Sequence, residues 1–148
     1  MFKRKLYLGG VKIPSRKGLL GHSDADVLLH AICDALLGAV SESDIGHHFP
    51  NNDKKYKDIS SLELLKCVGR LVEKKGFRVS HIDTVVVLET PKIASHKEKM
   101  KNAIAKVLKI EKKQVSVKAT TNEGMDAIGR GEAAAAYAIA LIQKRRSV

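Results

Sequence analysis

The chain has 148 residues, 44% of them hydrophobic and 29% charged, the balance of one globular domain long enough to bury a core. No stretch approaches the ~20 consecutive apolar residues of a membrane span, and only two cysteines occur, Cys33 and Cys67, so neither a membrane protein nor a disulfide framework is expected. The net charge of +11 admits a nucleic-acid partner or a small polyanion, but aromatics are 4% with no tryptophan, so stacking platforms are lacking and the polyanion is favoured.

Met1 to Lys5 imitates the charged start of a signal segment, but the apolar run behind it is too short, and a reducing, cytoplasmic setting is expected. Leu6 to Ile13 reads as a hairpin bent at Gly9-Gly10 and ended by Pro14. A helix is expected from about Asp24 to Val40, capped by Ser23 with Asp26 completing a box-like start. Its core stripe would be Val27, Leu28, Ala31, Ile32, Ala35 and Leu36. Residues 41–57 carry Asp, Gly, Pro and Asn at loop density. The next helix spans about Ser60 to Lys75, with Leu64, Leu65, Val68, Leu71 and Val72 on one face and Gly76 closing it.

Val79 to Glu89, with its run Thr84-Val85-Val86-Val87, predicts a strand buried on both faces, stopped by Pro91. A third helix follows at about Ser95 to Lys109, burying Met100, Ile104, Val107 and Leu108. Val115, Val117 and Ala119 then alternate as a strand ending at Thr120-Thr121. The last segment, Glu132 to Gln143, stays open: its alanines favour helix, while its place after a glycine-bearing loop suits a tightly packed strand. The order of elements predicts one α+β domain, 1–148, with helices packed on one side of a mixed β-sheet.

Three groups of residues could carry chemistry. Asp26, His30 and Asp34 recur at i, i+4 along one helix face, a pattern that suits a metal-bound histidine oriented by carboxylates, or simply a polar seam. His22 and Ser23 precede the helix, where an N-terminus favours anions, or else they are ordinary loop residues. Ala119-Thr120-Thr121-Asn122-Glu123-Gly124 leaves a strand end with hydroxyls, an amide and a carboxylate suited to Mg²⁺, and Gly129-Arg130-Gly131-Glu132 adds a guanidinium between glycines. The glycine spacing fits neither a P-loop nor a dinucleotide fingerprint. Together these groups describe a site that handles phosphate.

In the stretches KGLLGHSDADVLLHAICDALLGA, SDIGHHFP, Pro91-Lys92, VKATTNEG and IGRGE, the sequence closely resembles the 2-C-methyl-D-erythritol 2,4-cyclodiphosphate synthase family of the non-mevalonate isoprenoid pathway, from Leu8 to the C-terminus. The resemblance implies a phosphorus–oxygen lyase. The 2-phosphate of its cytidine diphosphate substrate attacks the β-phosphate of the same molecule, closing a cyclic diphosphate and releasing CMP. It also implies a homotrimer, with the sheets facing its axis and the active sites between subunits, and a small-molecule substrate rather than nucleic acid or membrane. The resemblance settles the final segment as a strand.

Matched by position, His22 and Thr121 stabilise the transition state and Ser23 lies beside the phosphates. Asp44, Ile45 and Gly46 match the segment holding the erythritol hydroxyls, and Phe49 to Asp53 a substrate-contacting loop. Leu88 through Ala94, including Pro91 and Lys92, match the cytidine pocket together with Ala119 and Thr120, and Asn122 lies in the same substrate-binding stretch. His30 matches a Zn²⁺ ligand, Glu123 the ligand of a Mg²⁺ or Mn²⁺ bound with the diphosphate, and Arg130 a phosphate-binding residue near the trimer axis.

Family members also begin with a strand carrying an Asp-x-His motif whose side chains join the helix histidine on zinc, and residues 1–20 hold no such motif. A catalytic zinc needs three protein ligands, so the motif is expected before Met1, in a natural chain that starts earlier, ahead of two other readings: a truncated chain, or local groups such as His22 or Asp26 in its place. The chain as written is expected to be less stable and its zinc site incomplete. Asn51-Asn52-Asp53 carries less negative charge than the family's substrate loop. Gly124-Met125-Asp126-Ala127 replaces a more apolar turn ending in an aromatic residue.

Overall fold

The computed structural model describes residues 5–15, 25–50, 54 and 59–146. Leu6–Leu8 (β1) and Val11–Ile13 (β2) pair antiparallel, Leu6 opposite Ile13, and form a two-stranded sheet of their own. Gly9 (φ +59°) and Gly10 (φ +79°) make the bend. The position of Gly9 admits no side chain, because a Cβ there would come within 2.8 Å of Met100.

Helix α1 runs from Val27 to Ala39, starting later than the sequence suggests, and its cap is Asp26. Ser23, the expected cap, lies outside the described residues. The carboxylate of Asp26 is fully buried. Its Oδ1 accepts the N–H groups of Leu29 (3.0 Å) and Gly9 (3.0 Å), and its Oδ2 that of Gly10 (2.8 Å). One side chain thereby starts the helix and pins the hairpin to it. The buried stripe of α1 is Leu28, Leu29, Ile32, Cys33, Leu36 and Leu37, while Val27, Ala31 and Ala35 fall at its margin. The shift follows from packing. Helix α1 touches both the sheet and the next long helix, so its buried arc widens toward Leu29, Cys33 and Leu37. Burial, with the Asp34 and Asp26 carboxylates nearby, pushes the Cys33 thiol far up, so it behaves as a small apolar side chain.

Within the expected loop lies one helical turn, Ile45–His48 (α2), capped by Asp44, whose Oδ1 accepts the His47 N–H at 2.9 Å. Helix α3, Ser61–Lys74, is capped by the Ser60 hydroxyl on the Leu62 N–H at 3.1 Å and is followed by Gly76 at φ +90°. Leu64, Leu65, Val68 and Val72 are buried on one face, and Leu71 is half-buried. Full burial of each such leucine contributes about 1.5–3 kcal/mol.

Strand β3, Phe77–Val87, is central. It pairs parallel with β4, Val115–Thr120 (Ile82 opposite Val115, Val87 opposite Thr120), and antiparallel with β5, Ala135–Lys144 (Phe77 opposite Lys144, Val87 opposite Ala135). A 3₁₀ turn at Ala94–His96, helix α4 at Lys97–Leu108 and a second 3₁₀ turn at Lys112–Gln114 make the crossover between the parallel strands. Helix α4 buries Met100, Ile104, Ala105 and Leu108; Ala105 takes the place expected for Val107, which is half-buried. Helix α5 is a single turn, Asp126–Gly129, between β4 and β5.

The result is an α+β fold with a mixed sheet whose core lies on its helical side. Ile82, Thr84 and Val86 face that side and are buried, whereas Asp83, Val85 and Val87 face the other and are only half-buried, so β3 is not enclosed on both faces as its composition suggests. The outer face continues on β5 with Tyr137 (64% exposed), Ile139 (73%) and Leu141 (58%). Its inner row, Ala136, Ala138, Ala140 and Ile142, packs on the core, where small side chains admit α1 closely. That contact outweighs the helical preference of the alanines, and the final segment is a strand. Among the described residues no helix is long and apolar enough to cross a membrane.

Candidate active site

The C-terminal ends of the parallel strands β3 and β4 lie side by side, and half of the expected site residues emerge there. The ladder continues one step past β3, with the Leu88 N–H donating to the Thr120 carbonyl at 3.0 Å. The chain then leaves β3 through Glu89, the cis Thr90–Pro91 bond and exposed Lys92 toward Ala94. Beside it, β4 runs out through Ala119 and Thr120 into the loop Thr121-Asn122-Glu123-Gly124. There Glu123 (φ +51°) and Gly124 (φ +74°) both turn left-handed.

Several hydrogen bonds order this loop. The Glu123 N–H donates to Thr121 Oγ1 (3.3 Å), the Asn122 side chain donates to the Met125 carbonyl (3.0 Å), and the Met125 N–H donates to the Asn122 carbonyl (2.9 Å). The Thr121 oxygen accepts from the loop, and on this exposed residue its own O–H remains available to donate. The Glu123 carboxylate is exposed and stands at the tip of the turn.

Helix α5 leans back on this loop. A Cβ on Gly129 would collide with the Gly124 backbone, so the approach requires glycine. Asp126, at φ +56°, accepts the Ile128 N–H at 2.8 Å; that bond, with help from the Asn122 side chain, holds its carboxyl below the usual range. Arg130 follows, exposed, with Nε 3.2 Å from Glu132 Oε1. Met125 is 68% exposed at the position where the sequence departs from the family's apolar turn.

A second group sits on α1 and α2. His30 is half-buried, with Nε2 3.0 Å from Ser61 Oγ. Asp34, one turn further, accepts the Ile45 N–H at 2.8 Å and so fixes the Asp44-Ile45-Gly46 segment to α1, with Phe49 closing the turn. The face of Asp26, His30 and Asp34 is thus divided among separate tasks: a buried cap, a serine contact and a brace for α2. His22, Ser23 and Asp53 lie outside the described residues. Among the described residues no three His, Cys, Asp or Glu side chains gather as a metal cage, so those present do not fit a three-ligand zinc site at His30.

Sequence reasoning reads Asp34 as a carboxylate flanking a metal-bound histidine, whereas it braces α2. It gives no partners to Glu89, inside the Leu88–Ala94 stretch, or to Ser61. Glu89 had a signal, as a carboxylate just beyond an apolar strand, and its partners are backbone N–H groups that no spacing rule reveals. The pairing of Ser61 with His30 is purely tertiary.

The model of the YgbB family matches residues 1–143. The chain belongs to the YgbB family. It is 56% identical to 2-C-methyl-D-erythritol 2,4-cyclodiphosphate synthase of Syntrophomonas wolfei over 141 residues, covering 95% of this chain and 90% of that one. The solved CDP complex of IspF from Plasmodium falciparum superposes with a TM-score of 0.85 at 34% identity, over 97% of this chain and 86% of that one. Bifunctional IspDF from Campylobacter jejuni gives a TM-score of 0.91 at 40% identity; it covers 97% of this chain, which spans 39% of that longer protein.

Proposed function

We infer that this chain is a 2-C-methyl-D-erythritol 2,4-cyclodiphosphate synthase. The observation that carries the reading is the match to the YgbB family over residues 1–143, joined to 56% identity with a relative of that name. The ordered hydroxyl-bearing loop at the ends of β3 and β4 supplies a physical basis. In the reaction an oxygen of the 2-phosphate forms a bond to the β-phosphorus. The bond from that phosphorus to the bridging oxygen breaks, and its electron pair leaves on CMP. Such chemistry asks the protein for positioning and charge neutralisation more than for a nucleophile of its own.

The residues divide as follows in this reading. The Thr121 hydroxyl donates to a phosphate oxygen as charge shifts in the transition state. Leu88, Pro91, Lys92 and Ala94, with Ala119 and Thr120, shape the cytidine pocket, and Asn122 lines its edge. Asp44, Ile45, Gly46 and Phe49, braced by Asp34, meet the erythritol end; His22 joins Thr121 in stabilising the transition state, Ser23 meets the phosphates and Asp53 the substrate. Arg130 offsets phosphate charge at the axis. The donor set at the loop tip fits a Mg²⁺ or Mn²⁺ held by Glu123 and phosphate oxygens, since such an ion needs few protein ligands when substrate supplies the rest. That ion, when bound, would neutralise diphosphate charge. No step is assigned to zinc.

The active assembly in this reading is a homotrimer, and the outer face of the sheet is its contact surface. Tyr137, Ile139 and Leu141 form an exposed apolar row that a second copy would cover. Ile139→Lys is expected to shift the sedimenting species from trimer toward monomer while the circular dichroism spectrum stays folded. An unchanged trimer would remove this face as the contact.

The deciding experiment is phosphorus NMR of the chain with the cytidine diphosphate substrate and Mg²⁺, with and without Zn²⁺. CMP appearing together with the cyclic diphosphate is the expected result. Unchanged substrate under both conditions would reduce the chain to a binding module of the same fold.

A further inference from the structure

We propose that Glu89 is a positioning residue, the clamp that holds the Thr121–Gly124 loop in its phosphate-facing shape and joins it to the cytidine segment. The proposal rests on the reading of the site given above.

Glu89 is half-buried, two residues beyond the end of β3. Its Oε2 accepts the Asn122 N–H at 3.0 Å, and its Oε1 accepts the Gly124 N–H at 3.2 Å. The left-handed turns at Glu123 and Gly124 bring these two N–H groups to the same carboxylate. Successive backbone N–H groups in such a turn form a concave seat for an anion. Here the protein fills that seat with its own carboxylate.

Two consequences follow. The main-chain donors of Asn122 and Gly124 are committed to Glu89, so the loop meets phosphate with its side chains, above all the Thr121 hydroxyl. The Glu123 N–H is taken by Thr121 Oγ1, which as an acceptor there keeps its own proton available to donate. Glu89 also precedes Thr90, Pro91 and Lys92 directly, and Leu88 on its other side bonds the Thr120 carbonyl. Any displacement of the cytidine segment is therefore passed through one carboxylate to the hydroxyl that faces the reacting phosphate. Placement errors of about 1 Å in such chemistry lower rate by about a hundredfold.

The geometry separates the variants. Glu89→Ala removes both acceptors. Glu89→Gln keeps one carbonyl oxygen but turns an amide N–H₂ toward the second donor, so one bond is lost. The test uses the intact chain and has two arms. In substrate-free ¹H–¹⁵N spectra, the amide protons of Asn122 and Gly124 are expected to move upfield in Glu89→Ala, and one of them in Glu89→Gln. Amides within α3 are expected to stay in place.

In turnover measured by CMP release, Glu89→Ala is expected to lower kcat about 10–100-fold, Glu89→Gln less, and both to leave KM within about threefold. Unmoved Asn122 and Gly124 amides would overturn the clamp, as would a loss seen only in KM. If Glu89→Ala does not fold, the same two criteria apply to Glu89→Gln. Inactive unsubstituted protein would instead sink the synthase reading, while the amide arm would still decide whether Glu89 holds the loop.

Discussion

Replacing Asp26 with alanine is expected to cost about 3–5 kcal/mol of folding stability, the sum of a lost helix cap and two N–H groups left without an acceptor. The carboxylate is fully buried between the hairpin bend and the first turn of α1, and it serves Leu29, Gly9 and Gly10 together. A cap alone is worth about 1 kcal/mol. The larger share comes from Gly9 and Gly10, whose donors face protein and are tied in place by the packing of Gly9 on Met100 and Leu28. Against a typical total of about 5–15 kcal/mol, the loss would leave the variant marginal. Asp26→Asn keeps one good acceptor and the cap, and is expected to lose only about 1–2 kcal/mol. Urea titration checks both. The midpoint falls while the slope is unchanged, and a loss under about 1 kcal/mol for the alanine variant would mean that water satisfies the stranded donors.

Thr121→Val is expected to lower kcat about 10²–10³-fold, the usual effect of deleting one hydrogen-bond donor aimed at transition-state charge. Valine keeps the shape and the β-branched strand end, so the change isolates the hydroxyl. The Glu123 N–H loses its acceptor, but Thr121 and Glu123 are both exposed and water replaces it. Stability should therefore change by less than about 0.5 kcal/mol. Thr121→Ser retains the donor and is expected to keep most of the rate. The rate of CMP release at saturating substrate decides the matter. A valine variant with wild-type kcat would take Thr121 out of the transition-state contacts and leave it a loop residue.

Much of this architecture was legible because it rests on local chemistry. The Gly9-Gly10 bend, the amphipathic α3 and the alternation of Val115 and Val117 follow from backbone freedom and periodicity, and each is present. What depends on a distant partner was harder. The start of α1 moved because Asp26 answers to the hairpin as well as to its own helix. The alanines of β5 gave no clear signal until α1 was seen packed against them. Strand β3 looked enclosed on both sides because its outer residues Val85 and Val87 are apolar, yet they share the sheet face of the exposed row on β5, with Val85 opposite Tyr137, rather than meeting a second layer of helices. In the site, the threonine-rich loop could be read from its residue types. The carboxylate that shapes it could not, since backbone donors look alike in every sequence.

The middle place of β3 in the sheet bears on how the molecule comes into being. Its two neighbours are both later in the chain: Ile82 waits for Val115, and Phe77 for Lys144. The sheet therefore cannot nucleate from adjacent segments, and its long-range closures make for slow folding. During synthesis the helices and hairpin can form early, but β3 must remain half-paired until β5 has been translated. Until β5 closes the sheet, the edge of β3 stays open to chaperones and to wrong partners.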